Sequence, residues 1–263
     1  MTLSAAPTRP KKRPRFRAAL RRQGPFLVSL AIVLGVWEVL GQTMDLLALP
    51  PVTEIAAALR EFIADGTLFD SLTVSLITLG IGMAASIVLG VIIGAAMGLS
   101  RTIEGALDIY VNAMMAAPMV AFVPVFILIF GLGYPTRVLT VVIFAIFPII
   151  VNTFAGLRNV DPTHVEMSRS YGATRRQMMW QVRLPGSFPY LLAGVRIGTA
   201  RGVKGLINGE VLVTVVGLGG LVHQYGTAFT MERLYAIIVF LVALALVLVW
   251  SVERLSRWLI RQE

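Results

Sequence analysis

The residues that could bind a ligand or form ion pairs are polar side chains inside one otherwise apolar stretch, Leu191–Val213. These residues are Arg196, Arg201, Lys204, Asn208 and Glu210. At 100° per residue around a helix they share an arc of roughly 180°. Charges at membrane depth are costly unless they face a cavity or a partner. We therefore expect the polar face of this helix either to lie toward a solute path or a subunit interface, or to form an ion-pair network with Glu104 or Asp108.

Two of the three cations of this stretch, Arg201 and Lys204, favour an anionic solute, because a cationic lining attracts anions. An alternative hypothesis is a gradient-driven secondary transporter, in which these cations and Glu210 relay protons or ions. Met115 and Met119 are further candidates for lining the path, although methionines on an apolar stripe are common in packed cores.

Glycines of the same stretch occupy a neighbouring arc of roughly 80°. They are Gly194, Gly198, Gly202, Gly205 and Gly209. Small residues on one helix face allow a neighbouring helix to approach closely. The pattern predicts a tight helix–helix contact beside the polar face.

No catalytic or metal-binding motif is found in the sequence. There is no cysteine, no G-x-x-x-x-G-K-[ST] phosphate loop, no G-x-S-x-G elbow and no H-E-x-x-H helix. His164 and His223 are expected on opposite sides of the membrane and so cannot share a metal. We expect a chain that is not an enzyme and binds no cofactor or metal.

The composition predicts an all-α, polytopic membrane protein. Hydrophobic residues make up 57% of the 263 residues, charged residues only 14%, and the mean hydropathy is +0.80. Six segments are long enough to cross about 30 Å of hydrocarbon. They are Pro25–Met44, Leu72–Leu99, Leu107–Phe130 with Pro118 and Pro124 inside it, Arg137–Phe154 with Pro148 inside it, Leu191–Val216 and Leu234–Trp258. We expect the three prolines to break their helices, and residues 25–260 to form one transmembrane domain.

The distribution of basic residues predicts the orientation. Eight of the 23 basic residues lie within the first 22 positions, in a tail (residues 1–24) that we expect to be disordered and cytoplasmic. Five arginines lie between the fourth and fifth segments, and three (Arg254, Arg257 and Arg261) lie within or just after the end of the sixth, whereas Asp45–Asp70 carries five acids and one base. Positive residues mark the cytoplasmic side, so both termini are predicted inside. The tail is expected to face anionic lipid rather than nucleic acid.

Two segments are predicted on the outer side. Leu49–Gly66 should form a turn and then a short amphipathic helix, beginning near Thr53 and ending at Gly66, that lies at the membrane interface. Val215–Gly226 is glycine-rich and expected to be a flexible loop.

The cytoplasmic segment between the fourth and fifth spans, about residues 156–190, is predicted to be helix, glycine turn, helix. Asp161-Pro162 is typical of a helix start, and Thr163 with Glu166 fits a capping box. Gly172 can take the left-handed conformation that ends the helix.

The second helix of this segment should begin at Thr174, which forms a capping box with Gln177, and end at Leu184-Pro185. From spacing alone, a connector lying on the membrane surface is as reasonable as a docking element for a partner.

The same segment resembles the EAA loop of the permease subunits of binding-protein-dependent ABC importers. The family pattern is E-A-A, three residues, G, nine residues, I-x-L-P. Glu166, Gly172, Leu184 and Pro185 are in register; Val182 replaces isoleucine, and Met167 and Ser168 replace the alanines. Further stretches, such as PVFILIFGLG and FPIIVNTFAGLRNVD, are similar to the subgroup that handles nitrate, sulfonates and taurine.

The resemblance implies a bacterial inner-membrane permease that works as a homodimer. A separate cytoplasmic ATPase would bind ATP and Mg, and an external solute-binding protein would contact the glycine-rich outer segment. The ATPase-docking residues it implies are Glu166, Met167, Ser168, Arg169, Tyr171, Gly172, Ala173, Leu184 and Pro185.

Overall fold

The computed structural model describes residues 15–44, 48–213 and 216–260, and within them the chain is helical with short connections and without strands. The helices are α1 Arg15–Thr43, α2 Val52–Ala64, α3 Thr67–Leu99, α4 Arg101–Ala116, α5 Val123–Phe130, α6 Tyr134–Arg158, α7 Pro162–Ser170, α8 Arg175–Gln177, α9 Leu184–Val213, α10 Gly217–Thr227 and α11 Met231–Ile260. The predicted all-α class is confirmed.

Helix α6 lies at the centre, between α3 and α9, and glycines let both neighbours approach it closely. A Cβ at Gly205 of α9 would lie 2.8 Å from the carbonyl oxygen of Thr140 on α6. The five glycines predicted to form a packing seam on α9 are all buried, so that prediction is confirmed.

A second seam, on α3, was not predicted. A Cβ at Gly94 would lie 2.6 Å from the carbonyl oxygen of Ile150, and one at Gly90 would lie 2.8 Å from the Ile149 side chain. Gly82 and Gly98 approach Val141 and Leu157 in the same way. The centre of the fold is therefore one apolar helix held between two small-residue faces.

A separate hydrophobic cluster joins α2 to α10 and α11. Ile55 and Phe62 of the amphipathic helix α2 are buried against Leu218, Leu221 and Ile237. The predicted amphipathic helix is present, and it packs on protein through its apolar face.

The predicted six crossings are only partly visible as single helices. By length and composition α3, α6 and most of α11 qualify, and the α4–α5 and α9–α10 regions qualify as two bent pairs. The apolar part of α1, Leu27–Thr43, is shorter than a usual crossing.

Prolines act differently in the two helices where breaks were predicted. The segment Leu107–Phe130 is indeed broken, with a bend of 101° between α4 and residues 119–130. Pro118 precedes a 3₁₀ turn, and Pro124 lies in the first turn of α5. The predicted break at Pro148 is wrong: α6 continues through it, since neighbouring helices clasp this buried stretch.

Two further predictions need correction. Helix α1 already begins at Arg15, so residues 15–24 are helical and not part of a disordered tail; residues 1–14 lie outside the described residues. The outer segment predicted as a flexible loop forms helix α10 from Gly217, and its first five residues are buried.

Candidate functional site

Helix α7 begins at a cap formed by Asp161. Its carboxylate accepts a hydrogen bond of 2.8 Å from the backbone N–H of Thr163, and Pro162 occupies the first helical position. That hydrogen bond lowers the pKa of Asp161. The predicted capping box of Thr163 with Glu166 is wrong, because Pro162 already lies within the helix and the cap must precede it.

The end of α7 is set by Gly172, as predicted. Gly172 has φ +76°, a left-handed conformation that costs glycine nothing. Its N–H donates to the carbonyl of Arg169 at 2.9 Å, and the N–H of Ala173 donates to Ser168 at 3.0 Å. This pair of bonds is a Schellman motif, which fixes the reversal through backbone groups alone.

The second half of the loop begins as predicted but does not stop where predicted. The side chains of Thr174 and Gln177 form a reciprocal capping box. A π-helical turn, Met178–Arg183, then joins α8 to α9, and the Leu184 N–H donates to Met179 five residues back. The predicted stop at Leu184-Pro185 is therefore wrong, since the wider turn lets the chain pass a proline without ending the helix.

Helix α7 presents its side chains to solvent, and none of them is buried. Met167 and Tyr171 are 53% and 85% exposed, and their spacing of four places them on one face. Large apolar side chains exposed together on a short polar helix are typical of a contact surface.

The other predicted docking residues divide between the two ends of the loop. Glu166, Ser168, Arg169, Gly172 and Ala173 lie on α7 or directly after it. Leu184 and Pro185 are exposed at the start of α9, beyond the π-helical turn.

The polar residues of α9 do not form one lining. Arg196 makes a salt bridge of 3.4 Å with Glu253 of α11. Arg201 contacts the sulfur of Met115 at 3.6 Å, Lys204 is exposed, and Asn208 donates to the Lys204 carbonyl at 2.8 Å. On a helical wheel Arg201, Lys204 and Asn208 lie within about 60° of each other.

Glu210 lies on the opposite face, about 180° from Arg201. Its carboxylate is fully buried and accepts a 2.7 Å hydrogen bond from the hydroxyl of Ser75 on α3. It also accepts from the N–H of Gly219 at 2.9 Å, in the first turn of α10. Ser75 in turn accepts from the N–H of Leu218 at 2.9 Å.

Glu210 therefore fastens α10 to α9 and α3, since a carboxylate satisfies the free N–H groups of a helix start. Glu210 does not share a helix face with Arg201 and Lys204, so the prediction that the three residues line one path is wrong. A proton relay through these three residues has no geometric support.

Arg137, at the start of α6, was missed in the sequence. Arg137 is 9% exposed, and its guanidinium lies 5.4 Å from the ring centre of Tyr134. Its Nε and Nη1 atoms have no hydrogen-bond partner among the described residues. The available signal was an arginine at the first position of the predicted span Arg137–Phe154.

The carboxylates predicted as ion-pair partners for α9 are engaged elsewhere. Glu104 pairs with Arg158 and, at 3.8 Å, with Arg101, while Asp108 accepts from the side chain of Asn112 at 2.9 Å. Within the described part of the chain, the polar side chains of α9 form one salt bridge, Arg196–Glu253, and neither Glu104 nor Asp108 pairs with α9.

The predicted methionines differ in exposure: Met119 is buried, and Met115 is half-buried. Within residues 15–44, 48–213 and 216–260 no three His, Asp or Glu side chains are grouped as a metal site would require.

Comparison with known proteins places this geometry in context. Residues 86–261 match the family model described as "Binding-protein-dependent transport system inner membrane component". The chain is 30% identical over 254 residues to the taurine transport system permease protein TauC of Escherichia coli, covering 94% of this chain and 92% of that protein. It is 29% identical over 237 residues to the formylaminopyrimidine transport permease protein ThiX of Halalkalibacterium halodurans, covering 90% and 94%.

Among solved structures, a chain of the MetNI methionine ABC transporter superposes with a TM-score of 0.61 at 21% identity. The superposition covers 70% of this chain and 91% of that one. At that identity the likeness concerns the fold alone.

Proposed function

Because the chain belongs to the family of binding-protein-dependent transport system inner membrane components, we propose that it forms the translocation path of an ATP-driven importer for a small anionic solute. The family assignment confirms the resemblance noted in the sequence. The chain is a multi-pass inner-membrane permease component and not an enzyme, as its relatives are named transport permease proteins.

The proposed topology has six crossings, with both termini in the cytoplasm. The crossings are α1, α3, the bent α4–α5 pair, α6, α9 and α11. The excess of arginine in the α7–α8 loop and around the C-terminal end of the last crossing supports this orientation. The α7–α8 loop then faces the cytoplasm, and α2 and α10 lie on the outer side.

The observation that carries the proposal is the exposed face of α7 on a loop that runs without a break into α9. Met167 and Tyr171 offer apolar area to a cytoplasmic ABC ATPase, which would bind ATP and Mg itself. Since the π-helical turn joins the loop to α9, a rigid movement of α7 would be passed to the helix that bears Arg201 and Lys204.

The proposed solute path follows the face of α9 that bears Arg201, Lys204 and Asn208. Lys204 is exposed and makes no salt bridge to any residue that the structure describes, so its charge is available to an anion. Taurine carries an anionic sulfonate beside its ammonium group, and the relative named for its transport supports a solute with such an anionic group. We place the path between two copies of the chain, to which an external binding protein delivers the solute.

The docking proposal is tested by co-purification of the chain with its ABC ATPase. Replacing both Met167 and Tyr171 by aspartate should abolish retention of the ATPase and leave the permease helical, because both side chains are exposed. Trp180→Ala is the matched control, since Trp180 is 64% exposed in the same loop but outside α7. Undiminished retention of the ATPase by the double variant would remove the docking proposal.

The solute proposal is tested by uptake into proteoliposomes that contain the complete transporter. Lys204→Gln should lower uptake of a sulfonate more than uptake of a neutral analogue. Arg196→Gln is the control, because Arg196 is already paired with Glu253. An equal effect of Lys204→Gln on both solutes would contradict an anion-selective path.

A further inference from the structure

A cleft of about 400 Å³ lies at the foot of the α7–α8 loop, where the loop meets the end of α3. It is lined by Leu99, Arg169, Arg175, Met178, Met179 and Arg183. The cleft therefore combines three cations with three apolar side chains, and no carboxylate lines it.

The three arginines of the cleft carry uncompensated charge. The salt bridges found in the described parts of the chain involve Arg101, Arg158, Arg196 and Arg233, and none of the cleft arginines. Guanidinium groups brought together without a carboxylate repel one another, and an anion placed between them removes that repulsion. The planar donor fork of arginine matches the oxygens of a phosphate.

The apolar wall of the cleft indicates where that anion comes from. Leu99 is the last residue of the long apolar helix α3 and is 46% exposed, while Met178 is buried and Met179 half-buried. The cleft thus opens at the level where a membrane-crossing helix ends, which is the level of lipid headgroups.

We propose that this cleft binds the headgroup of an anionic phospholipid. Arg169, Arg175 and Arg183 hold the phosphate, and Leu99, Met178 and Met179 contact the first part of the lipid chains. The inference rests on the orientation given under the proposed function, which makes the lipid one of the cytoplasmic leaflet.

The two faces of α7 keep lipid and partner apart. Arg169 is about 160° from Met167 around the helix, so the arginine points to the cleft while the methionine stays exposed on the other side. A lipid held by Arg169 would steady the loop from the membrane side without covering the Met167–Tyr171 face.

Native mass spectrometry of the full-length chain, purified without ATPase and incubated with phosphatidylglycerol or phosphatidylcholine, tests this site. The intact chain should retain one phosphatidylglycerol in preference to phosphatidylcholine. Arg175→Gln combined with Arg183→Gln should lower that retention by about tenfold or more, since charge-assisted hydrogen bonds to the phosphate are lost. Arg176→Gln is the matched control, because Arg176 lines a separate cleft with Gln177, Trp180 and Gln181.

Equal retention of phosphatidylglycerol by intact chain and double variant would overturn the proposal, as would an equal loss in Arg176→Gln. Displacement by millimolar inorganic phosphate would assign the cleft to free phosphate instead of lipid. If the double variant does not fold, Arg175→Gln alone decides, since that side chain is exposed.

Failure of the lipid site is distinguishable from failure of the proposed function. The lipid measurement contains no ATPase. If the chain retains lipid but does not co-purify with the ATPase, only the docking proposal is contradicted. If the chain co-purifies with the ATPase but shows no preference for phosphatidylglycerol, only the lipid site is contradicted.

Discussion

The helices around α6 and the α7–α8 loop both depend on glycine, but for opposite reasons. In the core, Gly94 and Gly205 have ordinary helical backbones, and a side chain there would collide with a carbonyl of α6. In the loop, Gly172 has open space around its Cα, and only its φ of +76° excludes other residues. The core glycines are required by a neighbouring helix, and the loop glycine by the backbone itself.

The difference explains how one chain can be both rigid and available to a partner. The core geometry is set by contacts between distant segments, so it is buried and resists deformation. The loop geometry is set by hydrogen bonds within a few residues, which leaves the side chains of α7 free for a partner. Helix α9 continues from the loop through the π-helical turn and packs on α6, and thus links the proposed docking surface to the packed centre.

The largest expected effect comes from adding one methyl group to the α3 seam. Gly94→Ala should destabilise the chain by about 2–3 kcal/mol, because its Cβ would lie 2.6 Å from the backbone oxygen of Ile150. Unfolding in mixed micelles with rising dodecyl sulfate, followed by circular dichroism, measures this change.

Gly80→Ala, on the same helix, is the control for that experiment, since nothing lies within 4 Å of its added Cβ. It should be neutral or stabilise the chain by up to about 1 kcal/mol, because alanine favours a helix. If both variants unfold at the same detergent fraction, the seam does not hold α6.

The next effect concerns Glu210, the carboxylate that joins three helices of the core. Glu210→Ala should destabilise the chain by about 2 kcal/mol, since the Ser75 hydroxyl and the Gly219 N–H lose their buried acceptor. Glu210→Gln should cost less, as its amide oxygen can still accept one bond. The same unfolding assay compares both variants.

A double-mutant cycle sharpens the test of this junction. Ser75→Ala and Glu210→Ala share one hydrogen-bond network, so their combined effect should be smaller than the sum of the single effects. Full additivity would show that Ser75 and Glu210 do not act together.

A smaller effect is expected at the loop glycine. Gly172→Ala should destabilise the turn by about 1–2 kcal/mol, the cost of placing an L-residue in the left-handed region. The loss should be local: hydrogen exchange should accelerate in α7 and not in α6. Gly172→Asn is the control, since asparagine tolerates this conformation better. Faster exchange in α6 as well would mean that loop and core are not separable.

The two regions also differ in how far the sequence predicts them. Gly172 and the Thr174–Gln177 capping box were predictable because their partners lie within five residues. The α9 seam was predictable from its helical spacing alone. The Ser75–Glu210 contact was not, since it joins residues 135 positions apart and requires the packed fold.

Local patterns also misled where two of them competed. Leu184-Pro185 reads as a helix stop, yet the π-helical turn before it lets the chain continue into α9. Asp161 and Thr163 are both residue types that cap helices. Because Pro162 occupies the first helical position, the cap is Asp161. The Met178–Arg183 turn has no pattern of its own, so a chain continuous from the loop into α9 could not be expected from sequence.

The smallest expected effect is a pH dependence at the start of α7. The pKa of Asp161 is lowered by the hydrogen bond that its carboxylate accepts from Thr163, so folding of this turn favours the charged form. That contribution is complete above the pKa of the unfolded chain and is lost as pH falls through the lower pKa of the folded state. Protection of the Thr163 and His164 amides, corrected for intrinsic exchange, should therefore decline below about pH 4. Asp161→Asn keeps a capping oxygen that does not titrate in this range, so its protection should stay constant with pH. A decline of equal size in Asp161→Asn would assign the pH dependence to another group. It would also show that the charge of Asp161 does not stabilise the start of α7.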